Sequence, residues 1–239
     1  MSVDARIARG GVLGLWAVFF VVLWWSGTSD RYLGSRTQWI VPFGAVVLTL
    51  AALAYGYGYF RARRRGPSLT LREATSLFAL LVPLAAVLLV PHAALGSFAA
   101  TRKGGITFPL ARPAAPSAPS QASFLDIRIA EGDRDFAAEA GIRDGAHVRL
   151  LGFVTRSKDV PAGTFELARF YVACCIADAE AVGVPIDGRA QALRQGRFEH
   201  DTWLDVTGSL ERRGKRFIVA ADRITRVPTP KQPYLSFRT

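Results

Sequence analysis

The chain has 239 residues, more than one typical domain needs, and a formal net charge of +11. Half of the residues are apolar, and they crowd into the first hundred positions. Nine of the thirty basic residues lie before position 74, in the short segments around the apolar runs. The later arginines are scattered and form no basic stripe with interleaved aromatic residues, so the positive charge does not indicate a nucleic-acid partner.

The first apolar run, residues 11–27, follows Arg6 and Arg9 and ends near Trp24 and Trp25. Tryptophan rings favour the interface between a bilayer and water. A signal peptide also has a charged start and an apolar centre, but no A-x-A-like cleavage site follows this run. We therefore predict that residues 11–27 form a retained membrane span.

Two further runs have the length of membrane spans, since a hydrocarbon core of roughly 30 Å needs about twenty apolar residues in a helix. Residues 39–60 contain no charged side chain. The third run, residues 76–100, follows a capping-box pattern at Thr70 and Glu73 and is interrupted by Pro83. The sequence thus predicts three transmembrane helices in contact with membrane lipid.

Basic residues predict the orientation of these helices. The segment between the second and third runs carries a cluster that comprises Arg61, Arg63, Arg64 and Arg65. The segment between the first and second runs carries two arginines and one aspartate. Because positively charged loops stay in the cytoplasm, we expect a cytoplasmic N-terminus and an extracytoplasmic location for everything after residue 100.

Residues 101–123 contain four prolines among alanines and serines, a composition that is typical of a semi-extended linker. From residue 124 to residue 239 the pattern changes to short alternating segments. These predict a helix over 133–140 and strands over 124–129, 148–155, 168–177, 181–186, 203–210, 216–221 and 223–227. Gly152 is expected at a bulge or a close backbone approach.

Several short strands with one small helix favour an all-β domain of OB-like barrel type over a sandwich. The predicted fold is therefore a membrane α-helical N-terminal region followed by a small C-terminal barrel.

The two cysteines, Cys174 and Cys175, are adjacent and form neither a disulfide framework nor a C-x-x-C motif. On an ideal strand Cys174 would be a small core residue and Cys175 would lie on the opposite face. Two alternatives require the strand to break. One is a vicinal disulfide. The other is a thiolate site for zinc or copper(I), completed by Asp178, His147 or His200.

No other pattern indicates chemistry. His92 lies near the end of the third run, where an interfacial role is more common than metal ligation. The sequence shows no nucleophile motif, no phosphate-binding glycine loop and no charged residue in the middle of a span. We therefore expect no enzymatic activity.

Four segments resemble the YcgQ-like family of bacterial membrane proteins: LLGFVTR, ARFYVACCIADAEAVGVPI, DTWLDVTGSL and PKQPYL. The most specific stretch runs from Arg169 to Val184, and the layout of two spans, a basic loop and a third span that ends in LGS is also similar. The resemblance implies a partner, a polytopic permease of the ArsP-like type, and a functional role for the cysteine pair.

These observations predict an accessory subunit of a two-component membrane permease, whose β-domain contacts the permease or its cargo. A membrane-anchored metal or thiol-redox sensor that needs no permease is the alternative. A structural envelope protein is a third reading.

Overall fold

The computed structural model describes residues 4–34, 36–62, 68–89, 95–102, 113–155, 164–187 and 198–235. The chain forms two compact units, Met1–Ala93 and Ala94–Thr239. This boundary lies seven residues before the predicted end of the membrane region at residue 100. Each unit is described separately below.

Three long helices form the first unit: α1 (Ala5–Ser26), α2 (Ile40–Ala62) and α3 (Leu71–Leu89). The Asp4 side chain caps α1, and Gly27, with a φ of 64°, ends it. The predicted capping box of α3 is confirmed, because the amide of Glu73 donates to the Thr70 hydroxyl and the amide of Thr70 donates to the Glu73 carboxylate.

The three helices run up, down and up. In α1 and α2, Gly10 lies beside Tyr55 and Gly44 lies beside Phe20, a pairing of antiparallel helices. In the contacts of α1 with α3 the residue numbers rise in both helices, so these two helices are parallel. Arg9 forms an ion pair with Glu73. About two helical turns further along both helices, the Trp16 indole donates a hydrogen bond to the Leu80 carbonyl oxygen at 3.2 Å.

This arrangement gathers the charged helix ends. The start of α1, the end of α2 and the start of α3 lie at one end of the bundle and carry Arg6, Arg9, Arg61, Arg72 and Glu73. Arg63, Arg64 and Arg65 of the predicted topology-determining cluster lie outside the described residues.

Two helices of the described chain, Ala5–Ser26 and Ile40–Arg61, have the length and composition of membrane spans. Their large side chains point outward, and Trp25 and Phe60 are 91% and 78% exposed. Two of the three predicted spans, the first and the second, therefore correspond to helices that could cross a membrane.

The third predicted span, 76–100, is wrong as a single helix. The apolar part of α3 in the described residues runs from Leu77 to Leu89, about 20 Å at 1.5 Å per residue, which is short of the hydrocarbon thickness. A separate helix, α4 (Ser97–Arg102), belongs to the second unit, where Ala100 is buried in an apolar cluster.

The second half of the predicted linker 101–123 packs on the C-terminal unit, whereas residues 103–112 lie outside the described part of the chain. Ala115 contacts the core, a short 3-10 helix spans Pro119–Gln121, and Ala122 is buried. Proline favours extended segments, but its ring is also apolar surface that a domain can cover.

Two helices precede the barrel. The predicted strand over 124–129 is wrong, because this segment is α5 (Phe124–Gly132). The Ser123 hydroxyl and the Asp126 carboxylate form a reciprocal capping box that fixes the start of this helix. The predicted short helix is confirmed as α6 (Arg134–Glu139), with Asp133 as its cap. The domain thus contains more helix than the single one predicted.

The described residues after α6 form six strands: β1 (His147–Thr155), β2 (Thr164–Tyr171), β3 (Glu180–Asp187), β4 (Trp203–Arg213), β5 (Arg216–Arg226) and β6 (Tyr234–Leu235). The two predicted strands over 216–227 are one continuous strand, β5. The predicted strand over 168–177 ends early, at Tyr171.

The first five strands close into a barrel. β1 pairs with β2 and β4, β2 with β3, and β4 with β5, all antiparallel, and a parallel pair between β3 and β5 completes the ring. β6 adds to β2 in parallel. This order is that of a five-stranded Greek-key barrel, so the prediction of an OB-like barrel rather than a sandwich is confirmed.

Where β1 pairs with β2, buried side chains lie on both faces of the pair. Leu150 and Leu167 point into the barrel, together with residues of α5. On the outer face, Phe153 and Phe170 stack at 5.6 Å between ring centroids and lie under Ala100 of α4. We call this outer group, with Trp203, Val172, Ala168, Ala179 and Tyr234, the outer cluster.

Candidate functional site

The cysteine pair lies in a loop between β2 and β3, not on a strand. The backbone leaves β2 after Tyr171 and forms a 3-10 turn over Ile176–Asp178 before β3 begins at Glu180. The prediction that Cys174 is a core residue is therefore wrong, because Cys174 is exposed and Cys175 is half-buried.

Asp178 organises this loop. Its Oδ1 accepts a hydrogen bond from the Ala173 amide at 3.0 Å, and its Oδ2 accepts from the amides of Cys174 at 2.8 Å and Cys175 at 3.3 Å. The Cys175 side chain in turn accepts from the Asp178 amide. One carboxylate thus takes the backbone donors that a continued strand would have given to the sheet.

The same arrangement brings three possible ligand atoms together. The sulfur atoms of Cys174 and Cys175 and a carboxylate oxygen of Asp178 all lie within 4.8 Å of one another. The structure has both cysteines as thiols and not as a disulfide. Two of the chemical possibilities raised by the sequence, a metal site and a vicinal disulfide, therefore have the proximity that they need.

The surroundings of Cys174 disfavour its thiolate. Partial desolvation, followed by the charge of Cys175 and that of Asp178, raises the pKa of Cys174 above its ordinary value. Reactive redox cysteines instead have lowered pKa values in electropositive surroundings. A cation between the two sulfurs and the carboxylate would reverse this preference.

The loop is fixed to the barrel through the outer cluster. Val172 and Ala179, on either side of the cysteines, are buried in that cluster, and Ile176 packs against it. The segment that carries the two thiols is thus anchored in the outer cluster at both ends and in its middle, while Cys174 itself is exposed to solvent.

Sequence reasoning missed Arg169, which connects this region to the closing PKQPYL segment. Its guanidinium donates to the carbonyl oxygens of Pro233, at 3.0 Å, and Gln232. Burial lowers the pKa of Arg169 below its ordinary value. The contact joins residues more than sixty positions apart. The signal that the sequence offers for it is that both segments are similar to the YcgQ-like family.

The histidines considered as further ligands do not join the group. Among the described residues the possible metal-binding cluster comprises Cys174, Cys175 and Asp178 alone. The His147 side chain is 79% exposed and lies 3.8 Å from the Asp222 carboxylate. His200 lies in an exposed turn, and His92 is outside the described residues.

Comparison with a solved structure gives a distant likeness. The crystal structure of the S. pombe Stn1–Ten1 complex is 17% identical, covers 48% of this chain and 81% of its own, and has a TM-score of 0.27. The OB-like description of the barrel accordingly rests on the strand order given above. No curated protein matches the chain.

A family comparison gives a match over the C-terminal unit. Residues 143–236 match the DUF1980 C-terminal domain, a range that begins just before β1 and ends just after β6. It includes the cysteine loop, Asp178 and the PKQPYL segment. The barrel and its loop are therefore similar to the DUF1980 C-terminal domain, which supports the resemblance of this chain to YcgQ-like bacterial proteins.

Proposed function

We propose that the chain is a non-catalytic accessory subunit of a two-component membrane permease. Its helices dock on a polytopic partner in the membrane, and its β-domain contacts that partner or its cargo. The observation that carries the proposal is the charge distribution of the helix bundle. In the described residues of α1, α2 and α3, the charged side chains lie at one end, and the remaining length is uncharged.

A transport path normally has polar or charged groups near the middle of the membrane, where they bind the cargo. The described helices offer apolar side chains there, so this chain needs a partner to provide the path. The outward-facing side chains of the bundle are a large apolar surface that lipid or another set of helices can cover. The resemblance to YcgQ-like proteins supplies the expected partner, an ArsP-like permease.

Photocrosslinking in native membranes tests the docking. Val46 is 50% exposed on α2, whereas its neighbour Ala45 is 1% exposed inside the bundle. We expect a photoreactive amino acid at position 46 to form a crosslink to one polytopic membrane protein, which mass spectrometry of the purified adduct would identify. The same amino acid at position 45 is the matched control and should react within the chain.

Two results would contradict this proposal. Adducts to lipid alone, at position 46 and at every other exposed position tested, would mean that no membrane protein docks on the bundle. Adducts solely to a second copy of this chain would likewise replace the permease with a homo-oligomer.

The bundle also supports an orientation. The chain enters α1 and α3 at the end that carries Arg6, Arg9 and Arg72, and it leaves α3 at the opposite end. Positively charged ends stay in the cytoplasm. In this proposal α3 is a third crossing, whose short apolar part is accommodated by local thinning of the bilayer. The β-domain then lies on the extracytoplasmic side, where thiols can also meet oxidants and imported or exported ions.

Reporter fusions test this orientation. A reporter that is active only outside the cytoplasm should be active after Thr239 and silent after Arg65, and a fusion after Gln38 should be active as a positive control. If only α1 and α2 cross the membrane, the fusion after Thr239 will be silent. That result would return the β-domain to the cytoplasm and end the extracytoplasmic proposal.

The second candidate function is a membrane-anchored metal or thiol-redox sensor. The cluster of Cys174, Cys175 and Asp178 favours it, because such a cluster can respond to an ion or an oxidant without any permease. The crosslinking experiment separates the two functions, since a self-contained sensor has no polytopic partner at position 46.

A further inference from the structure

The donor atoms of the cysteine loop match the needs of one particular ion. In tetrahedral zinc sites the metal lies about 2.3 Å from sulfur and about 2.0–2.2 Å from a carboxylate oxygen, so the ligand atoms are about 3.5–3.8 Å apart. The three atoms here already lie within 4.8 Å of one another, so they need to approach by about 1 Å at most to reach these separations.

The mixed donor set favours zinc over copper(I). Thiolates bind both ions, but a carboxylate oxygen is a harder ligand that suits Zn²⁺ better than Cu⁺. Asp178 is also held in place by three backbone amides, two on Oδ2 and one on Oδ1. An ionised carboxylate has about four acceptor positions, which leaves one for a metal ion.

The cluster is open rather than closed. Structural zinc sites have four protein ligands, whereas sites with three protein ligands keep a position for water or another molecule. Within the described residues the cluster has three members, drawn from five consecutive positions, and one of them is exposed. The ion in such a site can be reached by a ligand from a second protein.

We infer that Cys174, Cys175 and Asp178 form an exchangeable Zn²⁺ site with one open coordination position. Both thiols bind as thiolates, and their two protons pass to the solvent when the ion enters. The inference rests on the proposed function in one respect: in a transport complex, the site would make Zn²⁺, or an ion with the same preference for sulfur, the cargo that the β-domain receives and hands on.

The test is a metal titration of the full chain in detergent under reducing conditions. Metal-free protein is titrated with Zn²⁺ against a chromogenic chelator, and with Co²⁺, whose thiolate bonds give a charge-transfer band. We expect one Zn²⁺ per chain and a weakening of at least 100-fold in Cys174→Ser and in Cys175→Ser. The variant His147→Gln, which changes an exposed possible ligand outside the cluster, should bind as the parent does.

A second measurement addresses the open position. Added imidazole should change the Co²⁺ spectrum of the parent, because it can enter the free coordination position. An unchanged spectrum would show a closed site and overturn the inference, as would zinc binding that persists when both cysteines are serine, or no binding by the reduced parent. These results do not depend on a permease, so failure to bind Zn²⁺ and failure to crosslink at position 46 are separate outcomes.

Discussion

Val206→Asp is expected to unfold the barrel. Val206 lies in the middle of β4, is fully buried and belongs to the apolar core. An aspartate there would be an unpaired charge, or a protonated acid without a partner, in an apolar interior. We expect a loss of about 4 kcal/mol or more, which is a large part of the roughly 5–15 kcal/mol that stabilises a typical domain.

The matched control is Thr207→Asp, which adds the same charge one residue further along the same strand. Position 207 is half-buried on the opposite face, and its cross-strand neighbours are Arg149 on β1 and Arg223 on β5. An aspartate between two arginines is neutral or mildly favourable, within about 0.5 kcal/mol.

Hydrogen exchange of the barrel amides, measured by mass spectrometry on the full chain in detergent, distinguishes the two variants. Val206→Asp should lose protection in all five barrel strands, whereas Thr207→Asp should keep it. Parent-like protection in Val206→Asp would mean that the side chain of residue 206 does not point into the core, and the register of β4 would then be wrong.

The sequence predicted a barrel because it contains several short segments with alternating apolar residues. In β4 the apolar residues Leu204, Val206 and Leu210 are separated by even numbers of positions and so share one face, and the structure buries all three. Gly152 was expected at a close approach, and the structure places it against the Ala168 carbonyl oxygen. The strand order could not be predicted in the same way, because the pairings join residues far apart in the chain.

The errors arose where polar side chains compete with the backbone pattern. The segment 124–129 alternates well enough for a strand, but the Ser123 and Asp126 cap commits it to helix α5. The strand predicted over 168–177 ends early because the Asp178 carboxylate accepts three successive amides. In both cases one short acidic residue outweighs the apolar alternation around it.

The candidate site was largely predictable because it is local. Cys174, Cys175 and Asp178 span five residues, so any turn there brings them together, and the sequence reading named all three. Its wrong assumption was the strand, which would have separated the two thiols on opposite faces. The support from Arg169 and the PKQPYL segment is a contact between distant parts of the chain, which spacing alone does not reveal.

Gly208→Ala should also destabilise the barrel strongly. Gly208 lies at a register shift of the β4–β5 pair, where a Cβ atom would be 2.1 Å from the Ala220 carbonyl oxygen and 2.9 Å from the Ala221 Cα. Both neighbours are backbone atoms of the paired strand, so no side-chain rotation relieves the clash. We expect a loss of about 3 kcal/mol, the upper range for an overpacked core position.

Gly132→Ala is the control for this variant, because it adds the same methyl group at the end of α5. No heavy atom lies within 4 Å of the added Cβ, and the backbone there is not left-handed. Pulse proteolysis of the full chain at increasing urea concentration measures both variants. With an m-value of about 1.5–2 kcal/mol per molar, the midpoint of Gly208→Ala should fall by about 1.5–2 M, while that of Gly132→Ala should move little. Equal midpoints for the two variants would contradict the close approach of β4 and β5 at Gly208. The pairing of these two longest strands in the barrel would then be wrong at this position.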